Sequence, residues 1–390
     1  MLTASLAQEI AHENAAVTGL GILITDRNGE VIGSSDLKRV GSFHEASVEV
    51  IQTGLSASHT ARQAAALQGV RPGLTLPILL NGKAVGTVGI TGSPPRVRRF
   101  GPLVRRHTEI LLRESATLRS QLLRERGIED LVRDICGFDP EVIEPAALHA
   151  RAGELGYSLE CHRAAVVFNL LASPVEAQKL RQDTAGLRAE VVRIIREGFG
   201  QAEDIVAATA PGRFVVLHRL SAALPFEGAL STICDAITET VRARHKLTMN
   251  AGIGGAGTTL TELRSALQDA SDALLLGAKI SPNAGTHSIR DLRTYQLLSG
   301  AGQRSRSRLV ATELVELRAQ ADWKQLRATL IAWSEAGFKL VDAASALHIH
   351  RNTLLYRMAK IEQITGRSLR DHSASITMYL ACLADQIDDA

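Results

Sequence analysis

The stretch FKLVDAASALHIHRNTLLYRMAKIEQITG, residues 338–366, constrains the fold more tightly than any other segment. Its pattern predicts a short helix from Leu340 to Leu347, a tight turn at His348-Ile349-His350, and a second helix from Arg351 to Ile364. Ala343, Ala344 and Ala346 leave room for the close helix approach of a helix-turn-helix. Val341, Ala344, Leu347, Ile349, Leu354 and Met358 are expected to form its small core. His350, Arg351, Asn352, Thr353, Tyr356 and Arg357 crowd the start of the second helix. These are hydrogen-bonding side chains at the end that enters a major groove, and a helix N-terminus also favours a phosphate. A plain αα-hairpin in a bundle needs no such crowding. Residues 339–371 carry six basic side chains and three acidic ones, a net of +3. So weak a patch binds duplex DNA poorly as a single copy, so a dimer or larger homo-oligomer is expected.

At 390 residues the chain has material for two or three domains, and 45% hydrophobic with 22% charged residues is ordinary for a globular protein. A net charge of +3 excludes a uniformly basic nucleic-acid coat but not one basic module. With 4% aromatic residues there is little to stack single-stranded bases on. Cys136, Cys161, Cys234 and Cys382 form no CxxC pair, so neither a zinc site nor a redox motif is expected, and scattered thiols fit a reducing compartment. The first residues contain acids and no long apolar core, unlike a signal peptide, and no apolar run reaches membrane-spanning length. A cytoplasmic protein without membrane association is expected.

Three textures divide the chain into 1–135, 136–290 and 291–390. In the first, residues 3–17 have helical spacing, and GILITDRNGEVIGSS (21–35) predicts a hairpin around Asn28-Gly29, whose residues tolerate positive φ. A helix over 43–54 and a second hairpin around Asn81-Gly82 complete a small domain with an antiparallel sheet. Pro94-Pro95 punctuates the chain before an arginine-rich helix from about Leu103 to Ile135. Between 96 and 126 stand nine Arg and three Glu, a net of +6. Such a helix serves either as a solvated linker or as a dimerisation helix that relays a signal. Residues 140–290 predict a second α/β unit: a strand in CHRAAVVFNL, a helix near 175–198, a hairpin over 205–219, a helix over 228–245, a strand ending in glycines, and a helix over 259–279. Residues 291–390 show no strand signal. The expected class is α+β multidomain, with an N-terminal antiparallel-sheet domain, a long linker helix, an α/β domain and an all-α end.

HIHRNTLLYRMAKIEQITG (348–366) resembles the PucR-type C-terminal helix-turn-helix. IGSSDLKRVGSFHEAS (32–47) and GVRPGLTLPILLNGKAVGTVGITG (69–92) resemble the sugar-diacid recognition domain. Together they resemble the carbohydrate diacid regulator family over nearly the whole chain. QDASDALLLGAK (268–279) and the hairpin at 205–218 resemble a GGDEF-type domain. In active members of that type the hairpin turn carries metal-holding acids behind two glycines. Here it reads Ala210-Pro211-Gly212-Arg213-Phe214. The turn has no carboxylate, Arg213 would repel a divalent cation, and proline blocks close backbone approach. The domain is therefore expected to be degenerate, with no catalytic residues, cofactor or metal. Gly252, Gly254 and Gly257 fit GxGxxG, but no βαβ unit follows, and the glycines are expected to mark the exit of a strand.

The first domain is expected to hold a small anion. Arg39 and Arg71 can grip a carboxylate bidentately. Ser42 is expected to cap the helix beginning near Phe43, where free amides attract an anion. His44 can donate to a carboxylate or hydroxyl, and Glu45 can accept from a sugar hydroxyl. Gly69, Val70, Arg71 and Gly73 form a loop whose amides could face the ligand, and Thr91 ends the last strand near the pocket mouth. The resemblance marks the segments 34–46 and 69–77, which adds Ser34, Val40 and Gly41 to the effector-binding set. It implies a sugar diacid or a related hydroxy acid such as glycerate as effector, and a double-stranded operator as partner. Two rivals stand beside a transcription regulator: a GGDEF-class nucleotide enzyme, and a signalling scaffold that binds no DNA.

Overall fold

A computed structural model describes residues 2–80, 82–171, 184–221, 226–281 and 285–389. The fold is mixed α+β and groups into two compact units, Met1–Arg124 and Glu125–Ala390.

In the first unit, strands β1 (Gly21–Thr25), β2 (Val31–Ser34), β3 (Ala57–His59), β4 (Gly73–Leu80) and β5 (Lys83–Thr91) form an antiparallel sheet in the order β2-β1-β5-β4-β3. The β1–β2 turn closes on Asp26, whose carboxylate accepts from the amides of Asn28 and Glu30, both at 2.9 Å. Asn81 of the second predicted turn lies outside the described residues. One sheet face, with Ile22, Ile24, Leu74, Leu76, Ile78, Val88 and Ile90, packs on Ala7, Ile10 and Ala11 of helix Ala4–Thr18 and on Val97, Val104 and Leu112 of helix Pro94–Cys136. A Cβ on Gly33 would stand 2.3 Å from the carbonyl carbon of Ala7, so glycine lets the first helix rest on β2. The opposite face pairs Thr25 with Thr87 and lies under helix Glu45–Thr53. The short β3, the 3-10 turn Leu37–Arg39 and the helix Ala61–Ala64 went unpredicted, because three or four residues show no period.

The long helix corrects one expectation. It begins at Pro94 rather than near Leu103, so Pro94-Pro95 opens the helix instead of interrupting the chain. Proline suits the first turn, where amides have no intrahelical partner.

In the second unit, β6 (Arg163–Leu171), β7 (Ile205–Ala210), β8 (Arg213–Arg219), β9 (Thr248–Gly257) and β10 (Thr286–Ser288) lie in the order β10-β9-β6-β8-β7. The pairs are antiparallel except β9 with β10. Helices Thr184–Phe199 and Glu227–His245 cover one face, through residues such as Ile195, Cys234 and Ile237. On the other face lie Leu260–Ile280, Pro145–Glu154 and the end of the long helix, with Ile128, Leu131 and Ile135. The part of the predicted 175–198 helix before Thr184 lies outside the described residues.

Gly252 and Gly254 do not mark a strand exit; they stand inside β9. A Cβ at either would lie 2.1 Å from a carbonyl oxygen, of Ala270 or Ala266 respectively. At Gly252 and Gly254 helix Leu260–Ile280 presses its backbone onto the strand and leaves no room for a Cβ.

From Ile289 to Asp389 the described residues form helices joined by short turns, around a core including Leu326, Leu330, Leu354, Ile361, Met378 and Cys382. Ala273 and Leu276 of helix Leu260–Ile280 enter the same core, which joins the helical end to the rest of the second unit.

Candidate functional site

In the first unit the polar sheet face carries a relay of side chains. Thr25 Oγ1 lies 2.8 Å from Thr87 Oγ1, Thr87 Oγ1 lies 2.7 Å from Ser47 Oγ, and Ser47 Oγ lies 2.7 Å from His44 Nδ1. All four residues are buried. Burial, followed by the charges of Arg39 and His59, lowers the His44 pKa to about 4, so the ring is neutral near pH 7. A neutral imidazole both donates and accepts, and the relay supplies one side of that requirement.

Arg39 sits at the end of its 3-10 turn, nearly buried, and donates from Nη2 to the carbonyl of Gly69. Burial, with Arg71 nearby, lowers its pKa, against the opposing pull of Asp36. Gly69 takes φ +70°, and a Cβ there would fall 1.9 Å from the oxygen of Phe43. Only glycine lets this loop cross the start of the helix. The fold thus brings Arg39, His44 and Gly69 together and sets the Arg71–Asp36 pair (3.0 Å) beside them.

Other expected residues are placed differently. Ser42 does not cap the helix: its hydroxyl donates to the Arg39 carbonyl at 2.6 Å, and His44 holds the N-cap position, one residue before the helix starts at Glu45. Glu45 accepts from the Gln68 amide at 2.7 Å, so its carboxylate pins the 68–69 loop. The Ser34 hydroxyl donates to Ile22 O and accepts from the Asp36 amide. Val40 is exposed, and Gly41 takes φ +83° while its amide donates to Val31 O. Val70 lies between Gly69 and Arg71 and is half-buried. Gly73 faces Thr91 and His59 in register, and a Cβ on it would reach within 2.1 Å of Ile90 O. Ser47, Thr25 and Thr87 were missed. Their signal, a threonine in each of two paired strands and a serine in the helix above them, is shared with any half-polar sheet face.

In the second unit, helices Leu340–Ala346 and Arg351–Thr365 are joined through His348, which takes φ +52°. The Ile349 amide donates to Ala344 O at 3.0 Å and locks the turn. Ala343, Ala344 and Leu354 are buried, with Leu347, Ile349 and Met358 against them. Val341 and Ala346 depart from expectation: both are exposed, because helix Leu340–Ala346 turns its 343–344 face inward. His350 caps the second helix, its Nδ1 accepting from the Asn352 amide. Arg351, Asn352, Thr353 and Tyr356 are exposed. Arg357 reaches Gln325 Oε1 at 3.0 Å and leans toward helix Trp323–Glu335.

In the GGDEF-like region, Gly212 takes φ +75° and Arg213 donates to Ser271 Oγ at 2.7 Å. Among the described residues no group of three or more His, Cys, Asp or Glu is arranged to hold a metal ion, and no helix is long and apolar enough to cross a membrane.

Three family models match the chain. Sugar diacid recognition covers residues 2–135, a GGDEF-like domain covers 140–276, and the PucR C-terminal helix-turn-helix domain covers 326–384. The carbohydrate diacid regulator of Escherichia coli (strain K12) is 25% identical over 396 residues, spanning 99% of this chain and 98% of that one. Two relatives match over shorter stretches. The purine catabolism regulatory protein of Bacillus subtilis is 28% identical over 142 residues, 36% of this chain and 27% of its own. The transcriptional activator PmfR of Paenarthrobacter nicotinovorans is 30% identical over 140 residues, 35% of this chain and 28% of its own.

Proposed function

We propose that the chain, which is similar to a carbohydrate diacid regulator over nearly its whole length, is a ligand-responsive, DNA-binding transcription regulator of the cytoplasm. Its effector is a sugar diacid or a related small hydroxy acid such as glycerate, and it controls genes for metabolism of that acid. The observation that carries this reading is the helix Arg351–Thr365, which leaves Arg351, Asn352, Thr353 and Tyr356 exposed around its capped N-terminus. Effector binding near Arg39, His44 and Gly69 shifts the protein between states with different affinity for the acid, as any allosteric switch requires. The working species is a homodimer or higher oligomer, since one weakly basic module has too little affinity alone. The GGDEF-like region acts as a structural element and not as an enzyme, which Arg213 in its hairpin supports.

The test is a thermal-shift screen of the full chain with small hydroxy acids and diacids, since a ligand of the native state raises the melting temperature by mass action. At least one acid is expected to raise it, and Arg39→Ala is expected to abolish that rise. A flat response to every acid would overturn the effector assignment. Salt-dependent binding to duplex from the gene's own neighbourhood separates a regulator from a scaffold that binds only proteins.

A further inference from the structure

The exposed ridge of helix Arg351–Thr365 is not wholly polar. Leu354 and Ile361 are buried and Met358 packs against the same core, so one side of the helix faces inward. The opposite side presents Asn352, Tyr356, Ala359 and Gln363, with Leu355 on its flank, all exposed. Leu355 is 41% exposed there, one turn after Arg351. The helix is held by Leu354 and Ile361, and Leu355 is not among the side chains packed into that core.

In a major groove such a side chain has a partner. Thymine places its 5-methyl group on the groove edge, and an apolar side chain is the complement of that methyl. The neighbours fit the same base pairs: Asn352, one turn earlier, has the amide that pairs bidentately with adenine N6 and N7. Ala359, one turn later, is small enough to let the helix approach the groove floor. We propose that Leu355 reads sequence by packing on the 5-methyl group of a thymine in each half-site. The inference rests on the helix-turn-helix reading above and adds the base that this residue selects.

The experiment uses the full chain. Duplexes are first selected from a random-sequence pool by the wild-type protein. Each thymine of the selected consensus is then replaced, one position at a time, by deoxyuridine, which keeps the hydrogen-bonding edge and removes the methyl. At one position in each half-site the wild-type protein is expected to lose about fourfold in affinity, the size of one buried methyl group. Leu355→Ala should bind thymine and deoxyuridine duplexes equally at that position, and Leu355→Met should restore the preference. Leu355 is exposed and alanine favours helices, so both variants are expected to fold, and unchanged circular dichroism checks it. If Leu355→Ala keeps the full deoxyuridine penalty, or the wild-type protein shows none, the thymine contact is overturned while DNA binding stands. If no duplex is enriched from the pool, the helix-turn-helix reading itself fails, and this inference fails with it.

Discussion

Ser47 Oγ lies 2.7 Å from Thr87 Oγ1, which ties helix Glu45–Thr53 to strand β5 through two buried hydroxyls. The same Ser47 oxygen meets His44, so one hydroxyl serves both the sheet and the candidate effector residue. Ser47→Ala therefore leaves His44 Nδ1 and Thr87 Oγ1 each short of a partner away from water. Removing one partner of a buried polar group costs about 1–3 kcal/mol. Urea unfolding followed by circular dichroism should show that loss, and Ser47→Thr should recover part of it.

His44 gives a pH dependence whose sign is fixed. Its pKa falls from 6.5 to about 4 on folding, chiefly through burial. Between those values the unfolded chain binds more protons than the folded one, so acid favours unfolding. The contribution is complete above pH 6.5 and is lost as pH falls toward 4. At 1.36 kcal/mol per pKa unit the whole effect is about 3 kcal/mol. Urea midpoints at pH 7.5, 5.5 and 4.5 should fall less steeply in His44→Gln than in the wild-type protein. Equal slopes would assign the acid sensitivity to other groups.

Both hairpins of the first unit and the helix-turn-helix were legible, because Asn-Gly between apolar runs and the 3–4 spacing after Leu340 act locally. What stayed hidden depends on distant contacts. The Ser47–Thr87 bond joins residues 40 positions apart, and Gly69 is obligatory because its φ is +70° and Phe43 O crosses it. Val341 is apolar and in phase, yet it points outward, since helical spacing defines a face but not which side of a wide stripe meets the core. Arg39 was singled out for its charge, while its burial against Gly69 O appears only in the fold.

The glycines of β9 separate packing from nucleotide binding. A Cβ on Gly252 would meet Ala270 O at 2.1 Å, a backbone atom that cannot rotate away. Gly252→Ala must push helix Leu260–Ile280 off the sheet. Overpacking of this kind costs about 1–3 kcal/mol or more. A lowered melting temperature is expected, and isothermal titration of the wild-type protein with dinucleotides should give no heat of binding.

The Arg213 turn predicts that the chain makes no cyclic dinucleotide. Its guanidinium, engaged with Ser271 Oγ, occupies a turn where a metal-binding acid is needed. Incubation with GTP and magnesium should leave GTP unchanged by chromatography. Arg213→Glu should stay inactive as well, since one restored carboxylate supplies neither a second ligand nor the missing glycine. Product from the wild-type protein would return the chain to the enzymes.

Asn352 and Lys339 should affect DNA binding in different ways. Asn352 is exposed on the ridge of the second helix, where the proposed function needs a base contact. Lys339 precedes the first helix, and its exposed ammonium stands 4.0 Å from Asp342, beyond hydrogen-bond reach and able to meet a phosphate. A good bidentate base contact is worth about 1–3 kcal/mol, so Asn352→Ala should weaken binding to the selected site by roughly five- to 150-fold. Binding to random duplex should hardly change, because that rests on phosphates. Lys339→Ala should weaken both duplexes alike and make the log–log salt slope shallower by about one. Gel shifts at four salt concentrations, on selected and random duplexes, resolve the two patterns. If Asn352→Ala weakens both duplexes equally, Asn352 contacts backbone, and the bases are read by other residues of the helix.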